Sequence, residues 1–363
     1  MKLFTLGPVE MYESTKKISQ KDFVYFRTEE YSDIVNNSLK KLAKLIGVSG
    51  ENSVIYMASS GTGAMEGSVE NCINKNEKAL VINGGTFGYR FCQLLEYHGI
   101  PYSSIDLKWN ETLTQKHLDL YNNKNFTHLF VNICETQTGQ LYDIKMLSDF
   151  CKQNNMYLIV DAIGSFLADE YCMDKYGIDL TIISSQKGLC LSSGMAIVAF
   201  SERMKEKVLN NKNKISSVYF DFKDYLKNIE RGQTPYTPTI GIMYELSDML
   251  NLIDKEGGKE VWISKVQQKC DYFREKVVNF GLSIPEYPKS NMLTPVYFNN
   301  VNAYEIFKKL KDKFQIYVNP CGGELADKIF RISHIGNTTI EDIDNLLEKI
   351  EICIKELQEG VYV

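Results

Sequence analysis

Between residues 50 and 200 the chain alternates short, largely apolar runs with longer stretches in which apolar residues recur every three or four positions. The short runs are Ser53 to Met57, Ala79 to Ile82, Leu129 to Ile133, Tyr157 to Val160, Leu180 to Ile183 and Ala196 to Phe200. Between several of them lie stretches with helical character: Gly63 to Ile73, Gly88 to Tyr97 and Lys145 to Asn154. In the last, Met146, Leu147 and Phe150 fall on one helical face. Strands alternating with helices predict a largely parallel sheet covered on both sides. Runs this uniformly apolar suit strands buried on both faces.

One connection departs from this rhythm. Ser185 to Gly194 is about ten residues long, too short for the usual parallel crossover, so the strands it joins are expected to run antiparallel. After Pro238 the pattern changes to long helical stretches, Ile240 to Ile253 and Val261 to Phe280. A shorter βαβ-like series follows: Met292 to Phe298, Tyr304 to Leu310, Ile316 to Val318, Phe330 to Ser333 and Ile340 to Leu357. This reads as an N-terminal segment (1–14), a large α/β domain (15–254) and a smaller C-terminal α/β domain (255–363).

Composition adds mainly exclusions. Of the 363 residues 44 % are hydrophobic and 24 % charged, the balance of a soluble globular protein. Forty-one Lys and Arg against 46 Asp and Glu give a net charge of −5, with no basic stripe of the kind nucleic acids select. The nine cysteines form no C-x-x-C pair, and the four histidines are scattered, so neither a zinc site nor a disulfide framework is expected. No apolar run approaches the ~18 residues of a membrane span. A cytoplasmic protein with no membrane partner is the expectation.

Three local patterns carry chemistry. Ser59-Ser60-Gly61-Thr62-Gly63 follows an apolar run and opens a helix. Such a turn leaves backbone N–H groups unpaired at the positive end of the helix dipole, a cradle for phosphate. It reads equally well as a plain capped turn, and it lacks both the P-loop ending and the dinucleotide spacing. Asp161 ends the run YLIV, where open α/β sheets bind ligands. Burial there favours a neutral carboxyl unless a cation accompanies it. Lys187 follows the run ending at Ile183, and a lysine held against the sheet loses hydration and exposes the neutral amine of a Schiff base. Taken singly, a surface aspartate and a solvated lysine are the simpler readings.

In this order, with LGPVEMY, YFRTEEYSDI, SSGTGAME, NGGTFGYR, CETQTG, IVDAIGSF, SSQKGL, TPYTPT and FRISHIG, the chain resembles the class V aminotransferases. It is most similar to the serine–pyruvate and alanine–glyoxylate enzymes and to 2-aminoethylphosphonate–pyruvate aminotransferase. The resemblance implies the aspartate-aminotransferase-like fold (fold type I), with a mostly parallel sheet of seven strands and a smaller C-terminal domain. It implies pyridoxal 5′-phosphate as cofactor. Ser60, Gly61 and Thr62 correspond to the phosphate turn, with Gln186 assisting. Phe87 corresponds to the ring stacked on the cofactor, Ile163 to the residue on its other face and Thr136 to the hydroxyl near its phenolic oxygen. Asp161 corresponds to the partner of the pyridinium nitrogen and Lys187 to the Schiff-base lysine. Thr237 corresponds to a phosphate ligand given by a second subunit, hence a homodimer with shared sites. Arg331 corresponds to the ligand of the substrate carboxylate, and an arginine inside KIFRIS wants an anion on its own account.

The sequence departs from the family in three places. Phe87 stands where mammalian-type relatives carry Trp. The loop after Lys187 reads LCLSSG, where proline-rich residues are common. Cys321 lies near the position of the desulfurase nucleophile, but Gln186 and Phe87 occupy places where those enzymes carry histidines. The implied reaction is ping-pong transfer of an amino group from alanine, serine or a similar donor to pyruvate or glyoxylate. The alternatives are 2-aminoethylphosphonate as donor and, further off, a lyase or desulfurase. A dinucleotide oxidoreductase would need a fingerprint the chain lacks, and a silent scaffold would have lost Lys187 or Asp161.

Overall fold

The structure of the chain, a computed structural model, describes residues 1–212 and 215–360. Residues 213–214 and 361–363, within the expected 15–254 and 255–363 units, lie outside the described residues. Seven strands form the main sheet: β1 (Val54–Ala58), β2 (Ala79–Asn83), β3 (Tyr102–Asp106), β4 (His128–Asn132), β5 (Tyr157–Asp161), β6 (Leu180–Ser184) and β7 (Met195–Phe200). Their order is β1-β7-β6-β5-β4-β2-β3. Only β7 runs against the rest, pairing antiparallel with both β6 and β1. The short connection after β6 therefore does what its length predicts.

Helices cover the sheet. α1 (Glu29–Ile46), α2 (Gly61–Cys72), α3 (Thr86–Tyr97), α4 (Ile144–Gln153) and α5 (Ile240–Lys255) belong to this part of the chain. α1 and β3 are among the elements that have no counterpart in the sequence expectation. α1 buries Tyr31, Val35, Leu39, Leu42 and Ile46 at helical spacing, and Thr28 accepts a hydrogen bond from the Tyr31 N–H at its start. β3 lies at the sheet edge, and of its five residues only Ile105 is buried. Its run YSSID lacks the apolar character that marks the central strands.

A second sheet, β8 (Leu293–Tyr297), β9 (Asn319–Pro320) and β10 (Ile329–Ser333), is antiparallel in the order β8-β10-β9. α6 (Lys259–Asn279), α7 (Ala303–Phe314) and α8 (Ile340–Gln358) pack with it around a separate apolar core. α6 serves both cores, with Trp262 and Val266 in the first and Phe273 and Val277 in the second. The first residues of the chain do likewise. Lys2–Leu3 pairs in parallel with Ile316–Tyr317, Phe4 joins the second core, and Leu6 and Val9 join the first.

This topology collects the carboxyl ends of β1, β4, β5 and β6 along one edge, where the loops to Ser60, Glu135, Ile163 and Lys187 emerge. The loop from β6 to β7 is fastened along its length. Ser185 Oγ donates to the Ser192 carbonyl (2.7 Å), and the buried Glu245 of α5 accepts from both the Ser192 N–H and its hydroxyl (2.8 Å each). LCLSSG thus achieves by hydrogen bonding what proline would by covalent restriction. At Gly188 an added Cβ would lie 2.0 Å from the Phe166 carbonyl oxygen, an atom of the backbone that cannot swing aside. Gly188→Ala is therefore expected to destabilise the fold by several kcal/mol, on the order of other strained core substitutions. Chemical denaturation checks this, and a midpoint equal to the wild type would refute the close approach.

Candidate active site

At the start of α2, Ser60 is the N-cap, its hydroxyl oxygen accepting from the Gly63 N–H (3.3 Å). Gly61 is buried at this end of the helix, and a Cβ on it would lie 2.4 Å from Ile163 Cδ1 and 3.5 Å from Ser184 Cβ. The missing side chain lets the helix start approach the β5 and β6 ends. Gln186 is tied in by its side-chain oxygen, which accepts from the Ser184 hydroxyl. The first N–H groups of α2, with the Ser60 and Thr62 hydroxyls nearby, form a donor set suited to an anion.

Asp161 ends β5 and is 4 % exposed. One carboxyl oxygen accepts from the Ile163 N–H at 2.8 Å, which also fixes where Ile163 stands. Burial pushes the carboxyl up from 3.8 to about 7, the negative charge of Glu135 adding to the effect while the Ile163 N–H and Lys187 oppose it. Lys187 is shifted the opposite way. Burial lowers its ammonium from 10.5 to about 8, with Arg331 assisting and Asp161 and Cys134 opposing. The aliphatic stem of Lys187 packs on Gly7, where a Cβ would lie 2.8 Å from both Cδ and Cε. Neither Asp161 nor Lys187 has an ion-pair partner within 4 Å among the described residues.

Thr136 is buried, its methyl side facing Gly164, and its carbonyl accepts from Arg331 Nη1 at 2.9 Å. Arg331 Nη2 donates to the Pro320 carbonyl at 2.8 Å. Two neutral acceptors orient the guanidinium but leave its charge uncompensated, and Nε is buried with no partner. Phe87 is half-buried in the first turn of α3. Its N–H is bonded to Glu135, a residue the sequence reading passed over although it opens ETQTG. Glu135 is fully buried and accepts four hydrogen bonds, from the N–H groups of Phe87 (3.2 Å), Gly88 (3.4 Å) and Gln137 (3.0 Å) and from Asn132 Nδ2 (3.0 Å).

Close approaches and hydrogen bonds thus join Gly61, Ile163, Asp161 and Gln186 into one group and Thr136, Arg331 and Phe87, through Glu135, into another. Charge coupling of Lys187 with Asp161 and Arg331 links the two. Thr237 stands apart, exposed on the single chain and joined to none of them by a hydrogen bond. Cys321 is buried and its thiol is pushed up by burial, the opposite of a reactive thiolate. Among the described residues no grouping of His, Cys, Asp and Glu suits a metal ion, and no helix is long and apolar enough to cross a membrane.

Pyridoxal 5′-phosphate fits this arrangement. The start of α2 offers donors to a phosphate, Lys187 offers a desolvated amine to an aldehyde, and Asp161 offers a buried carboxyl that gains from a cationic ring nitrogen.

The class-V aminotransferase family model matches residues 10–346. An uncharacterized aminotransferase of Methanocaldococcus jannaschii is 29% identical over 339 residues, 91% of this chain and 86% of the relative. The 2-aminoethylphosphonate–pyruvate transaminase of Phocaeicola vulgatus is 27% identical over 363 residues, 97% of this chain and 99% of the relative. The crystal structure of alanine–glyoxylate aminotransferase from Nostoc sp. superposes with a TM-score of 0.91 at 24% identity, covering 97% of this chain and 94% of that one.

The shifted carboxyl has a measurable signature in the ligand-free protein. Its folded-state pKa lies above the unfolded value, so its contribution to stability is full below 3.8 and is lost as pH rises through about 7. Asp161→Asn removes the cost of burying the charge. The variant is expected to melt above the wild type at pH 8, and this gain is expected to vanish toward pH 4. Calorimetry of cofactor-stripped protein at the two pH values checks this. A variant that melts below wild type at pH 8, by as much as at pH 4, would contradict it.

Proposed function

The chain belongs to the class-V aminotransferase family, whose members depend on pyridoxal 5′-phosphate, and from that premise we propose that it transfers the amino group of a small donor such as alanine or serine to pyruvate or glyoxylate. The observation that carries the residue assignment is the pair formed by the half-buried Lys187 and the buried Asp161, oppositely shifted and without an ion-pair partner among the described residues. When bound, the cofactor supplies an electron sink for charge developing at the substrate Cα.

The protein supplies holding and positioning. Ser60, Thr62 and the first N–H groups of α2 hold the phosphate, with Gln186 beside them. Phe87 and Ile163 would hold the ring between them, and the Thr136 hydroxyl would serve its phenolic oxygen. Asp161 keeps a proton on the ring nitrogen, since a carboxylate in this dry position is stabilised by that cation. Lys187 would hold the cofactor through its aldehyde and would also be the group placed to carry the substrate Cα proton. A shift to about 8 leaves a useful fraction of neutral amine at neutral pH. Arg331, preset by the Thr136 and Pro320 carbonyls, takes the substrate carboxylate with its unpaired Nε–H and so orients the Cα–H bond.

The second reading is 2-aminoethylphosphonate as donor, supported by the near full-length similarity to the Phocaeicola vulgatus transaminase. Arg331 suits a phosphonate as well as a carboxylate. Desulfuration is disfavoured by the burial of Cys321.

Borohydride reduction of the loaded protein is expected to fix the cofactor on Lys187, and Lys187→Ala to abolish turnover; a label on another lysine ends the assignment. Arg331→Ala is expected to raise KM for carboxylate substrates roughly 10- to 100-fold, the worth of a charge-assisted hydrogen bond in a dry site. Steady-state kinetics with alanine, serine and 2-aminoethylphosphonate side by side identifies the donor. Unchanged constants for all three would remove Arg331 from the site.

The site is shared between two copies of the chain. Thr237 is exposed in TPYTPT, whose prolines limit its conformations. Arg27 holds the preceding backbone, donating to the Thr234 (2.8 Å) and Pro235 (3.3 Å) carbonyls. A hydroxyl on so fixed a loop is suited to reaching the phosphate bound by a neighbouring copy. Mixing inactive Lys187→Ala and Thr237→Trp proteins under subunit exchange is expected to restore activity, because one site of each mixed dimer has both residues intact. No recovery despite demonstrated exchange would defeat the shared site.

A further inference from the structure

We infer that Glu135 is the positioning residue of this site, the single side chain that fixes the ring-stacking residue Phe87 and the substrate-orienting Arg331 relative to each other. The inference rests on the pyridoxal-phosphate reading of the site above.

The geometry divides between its two oxygens. Oε2 accepts from the Phe87 and Gly88 N–H groups, at the start of α3, and from Asn132 Nδ2 at the end of β4. Oε1 accepts from the Gln137 N–H. The peptide held between Glu135 and Gln137 carries the Thr136 carbonyl that receives Arg331 Nη1. One carboxylate therefore anchors two arms, one ending in Phe87 and the other in Arg331. Gln137 reinforces the bridge, its side-chain oxygen accepting from the Thr86 N–H (3.1 Å) and hydroxyl (2.9 Å) at the cap of α3.

Two further features point to a purpose beyond capping α3. A surface serine or aspartate at the cap position would satisfy the same N–H groups at far lower cost than a fully buried carboxylate. Gly85 leaves the room for it, since a Cβ there would lie 2.6 Å from the Glu135 carboxyl carbon. The charge also raises the proton affinity of Asp161, so the same residue assists the proton that Asp161 is to share with a ring nitrogen.

Glu135→Gln separates the arms. The amide oxygen retains the Phe87, Gly88 and Asn132 donors, whereas the amide NH2 now faces the Gln137 N–H, donor against donor. The Thr136 carbonyl loosens and Arg331 with it. The expected result is a rise of about tenfold in KM for the carboxylate substrate, the factor that 1.4 kcal/mol represents, with the cofactor dissociation constant changed less than threefold. Cofactor binding is followed by absorbance titration of stripped protein. A purely structural role would move both quantities together or neither, and either result would overturn the inference.

Hydrogen exchange on the wild-type protein stands independently of the variant's folding. The Phe87, Gly88 and Gln137 amides, though in a first helical turn and a loop, are expected to be protected and to open together. Exchange of Phe87 and Gly88 at loop rates while Gln137 stays protected would also overturn it. Failure of the parent reading is distinguishable, because wild-type protein would then not bind pyridoxal 5′-phosphate at Lys187, whatever Glu135 does.

Discussion

A lysine amine and a carboxyl group that are both out of water attract each other far more strongly than a surface pair, and direct contact would neutralise both. Asp161 and Lys187 are close enough to shift each other's proton affinity, yet they form no ion pair. Each retains the unfavourable consequence of burial, a carboxyl easily protonated and an ammonium easily deprotonated. Keeping them apart requires that neither can relax toward the other. Much of the local architecture serves that requirement. Asp161 is held by the Ile163 N–H, the Lys187 stem lies against Gly7, and the loop beyond Lys187 is bound to Glu245 through Ser192. The fold bears the cost of two ill-solvated groups at the carboxyl edge of its sheet, and a bound ring carrying a cation and an aldehyde would relieve both.

Arg331 is handled differently. Its guanidinium has no internal counter-ion among the described residues, and two backbone carbonyls set its direction. The site thus holds a carboxyl that burial makes easy to protonate, a neutralisable amine and a guanidinium without an internal counter-ion, each unsatisfied in its own manner.

The strand run YLIVD and its terminal Asp161 were readable because central parallel strands are uniformly apolar, so a polar residue at their end stands out. The short link from Ser185 to Gly194 exposed the reversed strand by length alone. β3 was invisible for the complementary reason, since an edge strand faces water and its run YSSID looks like a loop. α1 was legible and passed over: Thr28 caps a stretch whose apolar residues keep helical spacing for five turns. Glu135 could not be found by such means. Its importance comes from donors at positions 87, 88, 132 and 137, which only the packing of α3 against the end of β4 brings to one point. Arg331 gave half its meaning away, because an arginine in an apolar strand asks for an anion, but the carbonyls that aim it lie far off in the sequence.

The pairing of residues 2–3 with 316–317 joins segments more than three hundred positions apart, and the Leu6 N–H bonds to Asn319 in the same region (2.6 Å). Gly7, which closes the chain around Lys187, is set in place by that pairing. Loop-closure entropy makes contacts of such separation late events in folding. On a ribosome, the seven-stranded sheet can therefore be complete while the Lys187 amine is still hydrated and carries its ordinary proton. The contact of its stem with Gly7 is completed only when residues 316–319 have emerged and paired with the first residues. A nascent or truncated chain thus bears a lysine with a smaller neutral fraction, one that reacts with stray aldehydes more slowly than the amine of the finished molecule.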